Sequence, residues 1–257
     1  MKKQFLAVTL LASLMTPCIQ AEDAPPASGE SQASDAPKKE LQFVEESVGD
    51  VQLPGGGIEG LRVGSKIEFN EAWATEHSAP LRRPFEIIVP KHKPVFVAYH
   101  DKAEGRAELV NIQFATEDKK LVESVRLANI NIPVEPPMEE RLNILADLLM
   151  RDGVKMATAN WPKSAPKQIY KTKIGKYDGV VVHGFMEDPE RGSYFFKLAG
   201  ILEEGQKEGL MAFAMIDPTL SEVKTPADLG SKGNALKVIH SIRFADDSGQ
   251  SEESKAQ

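Results

Sequence analysis

In residues 168–174, Ile169, Lys171 and Lys173 fall on one side while Tyr170, Thr172 and Ile174 fall on the other. A period of two predicts a strand. Residues 175–179, with Gly175 and Gly179, read as a turn or bulge, and the apolar run 180–186 reads as a second strand. Asp188-Pro189-Glu190-Arg191-Gly192 is dense in turn formers. The runs 194–202 and 210–216 follow, separated by a polar turn at 203–209. Four strands joined by short turns predict an antiparallel meander. The last two are almost continuously apolar, which predicts central strands covered on both faces.

The first half carries shorter strand signals. Residues 85–89 end at Pro90, residues 95–99 end at His100-Asp101, residues 107–114 alternate with Leu109 out of phase, and residues 121–127 are mixed. All are rich in β-branched or aromatic residues bounded by turn formers. Two segments follow a helical period instead. Met138, Leu142, Leu145 and Leu149 form one stripe, widened by Ile144 and Leu148, after Pro136-Pro137; this predicts a helix over 138–151 with Gly153 as its C-cap. Thr225-Pro226-Ala227-Asp228 has the composition of a helix start, Gly230 and Gly233 interrupt it, and residues 234–240 resume it with Leu236 and Ile239 inward. Ser241-Ile242-Arg243-Phe244 reads as a closing strand. The fold class is therefore α+β: an antiparallel meander packed against helices, with an α/β/α sandwich as one form of it.

The N-terminus has a different pattern. Lys2 and Lys3 precede an apolar run over 5–15, and a polar stretch then closes on the small residue Ala21. A basic start, an apolar run too short to span a bilayer and a small residue at the cut predict a signal peptide over 1–21. Cys18 offers a rival outcome, a lipidated N-terminus, but that processing normally takes a small residue before the cysteine, and Pro17 stands there. Cys18 is the only cysteine, so a chain cut after Ala21 has no thiol for a disulfide, a thiol nucleophile or a cysteine–zinc site. Residues 22–40 contain no aromatic or large aliphatic side chain, and residues 245–257 are equally poor in them; both are expected to be disordered, as a linker and a tail. The expected organisation is completed by a strand-rich region over 41–135 and an α+β sandwich-like region over 136–244.

Composition narrows the partners. The formal charge is −7, and removal of residues 1–21 takes away Lys2 and Lys3 and leaves −9. An acidic chain without a basic, aromatic-studded stripe is repelled by nucleic acid and by anionic headgroups. No apolar run beyond the first approaches the length of a membrane span.

The order helix, antiparallel meander, interrupted helix and terminal Ser241-Ile242-Arg243-Phe244, spread over 136–244, resembles the PsbP-like (DcrB-like) superfamily. Residues 85–90, a strand closed by Pro90, are compatible with the strand ending in proline near that family's start. The resemblance implies an α/β/α sandwich and a role in binding or assembly rather than catalysis. The family has no universal catalytic residues, so it carries none onto this chain. The block before residue 136 departs from its pattern, and reads either as an insertion or as a subdomain of another type.

The candidate chemistry is sparse. The histidines are His77, His92, His100, His183 and His240, and no two have the i, i+4 spacing of a helical metal site. His77, His92, His100 and Asp101 supply parts of a nucleophile–base–acid set, but no Gly-x-Ser-x-Gly turn presents a serine. His183 alternates with Val181 and Phe185 and reads as a core-edge histidine, and His240 sits favourably at a helix C-terminus. Glu187, Asp188 and Glu190 lack the spacing of a calcium loop and read as a turn. Pro54-Gly55-Gly56-Gly57 lacks the lysine and hydroxyl of a phosphate cradle. Trp73 and Trp161, in loop-like contexts, are the better interface markers. Residues 163–167 and 91–93 read as basic loops. No residue is assigned a catalytic, cofactor-binding or metal-ligating role. The expected protein is an exported, periplasmic or extracellular envelope protein with a non-enzymatic binding or assembly role and a protein partner in the envelope. The alternatives are a hydrolase of an envelope or extracellular substrate, and a small-molecule carrier using the apolar strands 194–216.

Overall fold

The nearly continuous apolar runs of the long central strands build a sheet that is apolar on both faces. The computed structural model describes residues 41–47, 57–58, 61–62, 65–92, 94–99 and 108–245. The expected signal peptide, the linker over 22–40, the tail beyond Ala245, His100 and Asp101 lie outside the described residues. The strands are β1 (Gly57–Ile58), β2 (Leu61–Arg62), β3 (Lys66–Phe69), β4 (Phe85–Ile88), β5 (Val95–Tyr99), β6 (Glu108–Ala115), β7 (Leu121–Asn131), β8 (Lys163–Ile174), β9 (Tyr177–Asp188), β10 (Gly192–Leu202), β11 (Glu208–Ile216) and β12 (Arg243–Phe244). The helices are α1 (Glu71–Glu76), α2 (Met138–Leu148), α3 (Val154–Thr158) and α4 (Asn234–His240).

Strands β8 to β11 form the expected meander, and β11 then pairs with β7 rather than ending the sheet. The order is β5-β6-β7-β11-β10-β9-β8, antiparallel throughout, so strands from both halves of the chain share one seven-stranded sheet. A second sheet, β12-β4-β3, brings the closing strand back to the segment that ends at Pro90. The fold is α+β.

The two faces of β10 show how the layers divide. Phe196, Leu198 and Leu202 face one core, with Leu142, Leu145 and Leu149 of the helix above it. Ala199 and Ile201 face the other, with Leu236, Val238 and Ile239 of α4 and with Phe69, Phe85 and Ile87 of the small sheet. Each fully buried aliphatic or aromatic side chain contributes about 1.5–3 kcal/mol. Among the described residues no helix is long and apolar enough to cross a membrane.

Several local expectations need correction. Gly153 does not cap the long helix. A π turn (Leu149–Gly153) carries the chain from α2 straight into α3, and Gly153 itself is helical, with φ −60°. Its hydrogen meets the sheet: a Cβ there would lie 2.7 Å from Leu198 Cδ2. The second helical region opens as a 3₁₀ turn (Pro226–Gly230), with the Thr225–Asp228 capping box formed, before α4 begins. Residues 163–167 are not a loop but the first part of β8, which has an irregularity between Pro166 and Gln168 where proline has no amide to offer. Trp73 is not in a loop either; Asn70 caps α1 by accepting from Trp73 N at 2.9 Å, which turns the indole into the small aromatic core.

Candidate functional site

One position on β10 breaks the apolar run. Lys197 lies between Phe196 and Leu198, points away from α2, and is fully buried between the sheet and α4. A buried ammonium is costly unless a counter-charge and hydrogen bonds surround it. The counter-charge comes from residues 41–47, a segment with no periodic signal at all. Lys197 Nζ donates to Glu46 Oε2 at 2.5 Å and to the Leu229 carbonyl at 3.1 Å. That carbonyl is available because it sits at the end of the 3₁₀ turn, where carbonyls have no partner within the helix.

Glu46 is held from three directions. Besides Lys197, His240 Nε2 lies 3.1 Å from Oε2, and the Tyr170 hydroxyl donates to Oε1. An ionised carboxylate only accepts, so His240 carries its proton on Nε2. The three donors come from β10, α4 and β8. Burial alone would raise the Glu46 carboxyl, but the bond from His240, the charge and bond of Lys197 and the bond from Tyr170 bring it down to about 2. Burial and the Glu46 charge push the Tyr170 hydroxyl far above the ordinary phenol value. Burial also pulls Lys197 down, against the opposing pull of Glu46; the close ion pair keeps both partners charged.

The backbone of the same segment is tied to the sheet edge. Val44 N donates to the Lys171 carbonyl at 2.8 Å, and Lys171 N donates to the Gln42 carbonyl at 2.9 Å. Phe43 thus bridges in parallel to Lys171 on the outer side of β8. Ser47 N donates to the Gly230 carbonyl at 3.1 Å. Residues 41–47 therefore form a strap across the β8 edge, with its carboxylate inside and its backbone at the surface. Beside it runs a cleft of about 460 Å³, lined by Gln42, Phe43, Glu139, Lys171, Thr172 and Asp178 among others, and Lys171 closes one wall by pairing with Glu139 of α2.

No protein-family model and no curated protein matches the chain. Several solved structures are similar to it at low sequence identity. Cyanobacterial PsbP (CyanoP) from Synechocystis sp. PCC 6803 aligns with 75% of this chain and 99% of its own at 11% identity and a TM-score of 0.45. LpqN, described as involved in cell envelope biogenesis of Mycobacterium tuberculosis, aligns with 71% of this chain and 91% of its own at 10% identity and a TM-score of 0.41. The Ran-binding protein Mog1p of Saccharomyces cerevisiae aligns with 71% of this chain and 96% of its own at 10% identity and a TM-score of 0.36.

The histidines singled out in the sequence are dispersed. His77 stacks on Tyr99, ring centres 4.5 Å apart, beside Trp73. His92 Nε2 lies 2.8 Å from the Ala115 carbonyl, and its other nitrogen 3.4 Å from Asn234 Nδ2. His183 is buried, as alternation predicts, and donates from Nε2 to Gln168 Oε1 at 2.9 Å. Burial, with Lys197 nearby, pulls it below the ordinary imidazole value, so it stays neutral. Only His240, read as a helix-end residue, bonds the strap, while His183 borders the same socket, its ring edge-on to Tyr170 with centres 5.6 Å apart and its position opposite Lys197 on the next strand. Around Pro189, Asp188 Oδ1 accepts from Glu190 N at 2.8 Å and Arg191 N at 3.0 Å, which makes that acidic cluster a turn. Trp161 is half-buried against Tyr194, with the Arg191 guanidinium 5.1 Å from its ring centre.

Sequence reasoning missed Lys197 and Glu46. The signal for Lys197 was present: a lone cation amid an apolar strand with both faces covered needs a partner. Nothing in residues 41–47 marks Glu46 rather than Glu45 as that partner.

Proposed function

We propose that this chain is an exported envelope protein with a non-enzymatic role in binding or assembly. The observation that carries the reading is the state of the buried ionisable groups. Lys197, Glu46, His240 and Tyr170 satisfy one another, and buried Glu123 accepts from Ser221 Oγ at 2.6 Å and Ala235 N at 2.7 Å. Groups closed on each other in this way stabilise a fold; an active site needs such groups aimed at a substrate. His77 and His92 lie apart from the Glu46 cluster, and the two histidines that border it are already engaged, His183 by Gln168 and His240 by Glu46, which disfavours the hydrolase. The apolar surface of β10 and β11 is packed against α2 on one side and α4 on the other, which disfavours the carrier. Export rests on the pattern of residues 1–21.

The test is fractionation of cells carrying the full chain, N-terminal sequencing of the product, and a pull-down from envelope extract. A chain beginning at Glu22 outside the inner membrane, recovered with one stoichiometric partner, is the expected result. An intact precursor in the cytosol overturns the location, and turnover of a model ester or peptide by the purified chain overturns the non-enzymatic role.

A further inference from the structure

The three donors that hold Glu46 belong to the body of the fold, not to the strap. Tyr170, Lys197 and His240 converge on one point beneath the β8 edge, and the Leu229 carbonyl holds the ammonium in place. Beside that point the edge offers the Lys171 amide and carbonyl, and the 3₁₀ turn offers the Gly230 carbonyl. An extended segment laid along this groove is bound at both levels: by main-chain bonds along the edge, as in strand addition, and by one carboxylate inserted into a desolvated cationic socket. The strap uses the groove economically. Val44 packs against the core, Phe43 stays 57% exposed, and Glu45 points outward while Glu46 points in.

We infer that this groove is a binding site for an extended acidic peptide segment, which the chain fills with its own residues 41–47. The socket is cationic and the strap supplies the matching carboxylate, so charge complementarity defines the ligand: a strand with an apolar residue two positions before a glutamate. In the intact chain the strap is covalently joined to the body, so its docking is intramolecular, with an effective concentration of about the millimolar range. A segment of the same chemistry on another chain therefore competes only when it exceeds that concentration or when the strap is released. This inference stands apart from the envelope reading, because its test uses only the chain and its own peptide.

The test keeps the full chain and adds a protease recognition sequence within residues 48–54. After cleavage, the N-terminal fragment is expected to co-elute with the body on size exclusion, and an excess of a fluorescent peptide spanning residues 39–49 is expected to replace it. The peptide carrying Glu46→Ala is expected to compete at least ~30-fold less well, the size of losing one partner of a buried hydrogen-bonded charge pair. The peptide carrying Glu45→Ala is expected to compete as the native sequence does. Loss of the fragment without competitor, failure of the native peptide to replace it, or equal competition by the Glu46→Ala peptide each overturns the inference.

Discussion

Lys197 and Glu46 stand 151 positions apart in the chain, and their charged atoms meet at 2.5 Å with neither side chain open to solvent. The lysine sits on a central strand and the glutamate on a segment that makes three main-chain bonds to the rest of the described residues. The desolvation of two ions largely cancels their attraction. The pair therefore adds little net stability over an apolar pair, yet removing one member leaves a charge stranded in the core. What it provides is specificity of docking, since no other described segment places a carboxylate at Lys197.

The asymmetry is measurable. Glu46→Ala is expected to lower stability by ~3–5 kcal/mol, because Lys197 then keeps only the Leu229 carbonyl. Lys197→Met combined with Glu46→Gln removes both charges, while the amide oxygen in the Oε2 position accepts from His240 and the NH2 in the Oε1 position donates to the Tyr170 hydroxyl oxygen. That double variant is expected to regain most of the loss. Urea unfolding of the wild type, the two single variants and the double variant checks the cycle.

The clasp also has a pH signature. The Glu46 carboxyl is lowered from 4.5 to about 2 on folding. Above 4.5 the carboxylate is ionised in both states and its contribution is complete. As pH falls from 4.5 toward 2 the unfolded chain takes up a proton that the folded chain refuses, and stability declines. Glu46→Gln has no such proton to take up. Stability of the wild type and of this variant should converge as pH falls through that window; a constant difference between the two curves would show that Glu46 does not titrate as its surroundings require.

The layers of the fold were legible because they follow from period. Residues 168–174 alternate, the runs at 180–186, 194–202 and 210–216 are apolar and bounded by turns, the stripe through Leu142, Leu145 and Leu149 turns inward, and Thr225 to Asp228 forms its capping box. The same logic failed wherever tertiary contact overrides local signal. Gly153 resembles a helix stop, but it is small because Leu198 presses on it. Residues 163–167 resemble a loop because of Pro166, and they remain strand because an irregularity absorbs the missing amide. The strap was invisible for another reason: an extended segment held by three main-chain bonds and one inserted side chain leaves no periodic trace in sequence. Only Lys197 announced that a partner must exist.

Two glycines set the distance between α2 and the sheet, and they should respond differently to alanine. At Gly200 on β10 a Cβ would lie 2.5 Å from Leu145 Cδ1, and Leu145 is itself fully buried. Gly200→Ala is expected to cost ~1–3 kcal/mol through overpacking. At Gly153 the clash with Leu198 is similar, but the residue is helical, and alanine gains ~1 kcal/mol of helix propensity there. The cost of Gly153→Ala is therefore expected to be the smaller of the two. Thermal or urea unfolding of both variants decides it.

Arg141 performs on the other face what the strap performs on its own, joining segments that have no regular pairing. From the first turns of α2 its Nε donates to the Pro133 carbonyl at 2.9 Å and its Nη1 to the Glu203 carbonyl at 3.1 Å, while Nη2 donates to the Gln206 carbonyl. One planar fork thus ties the β7–α2 connection and the β10–β11 turn to the helix. Lysine cannot reproduce this, since its ammonium offers no fixed fork to three separate carbonyls. Arg141→Met is expected to cost about 1–3 kcal/mol, with water entering to satisfy part of what is lost, and Arg141→Lys is expected to fall between it and the wild type. The loss should be local before it is global. Ile132 N donates to the Lys207 carbonyl at 3.0 Å, just beside the turn that Arg141 holds. Hydrogen exchange at Ile132 should accelerate in Arg141→Met more than exchange at the amides of central β11, because the turn can open without the sheet. Equal acceleration at both places would mean that Arg141 supports the whole sheet rather than this corner of it.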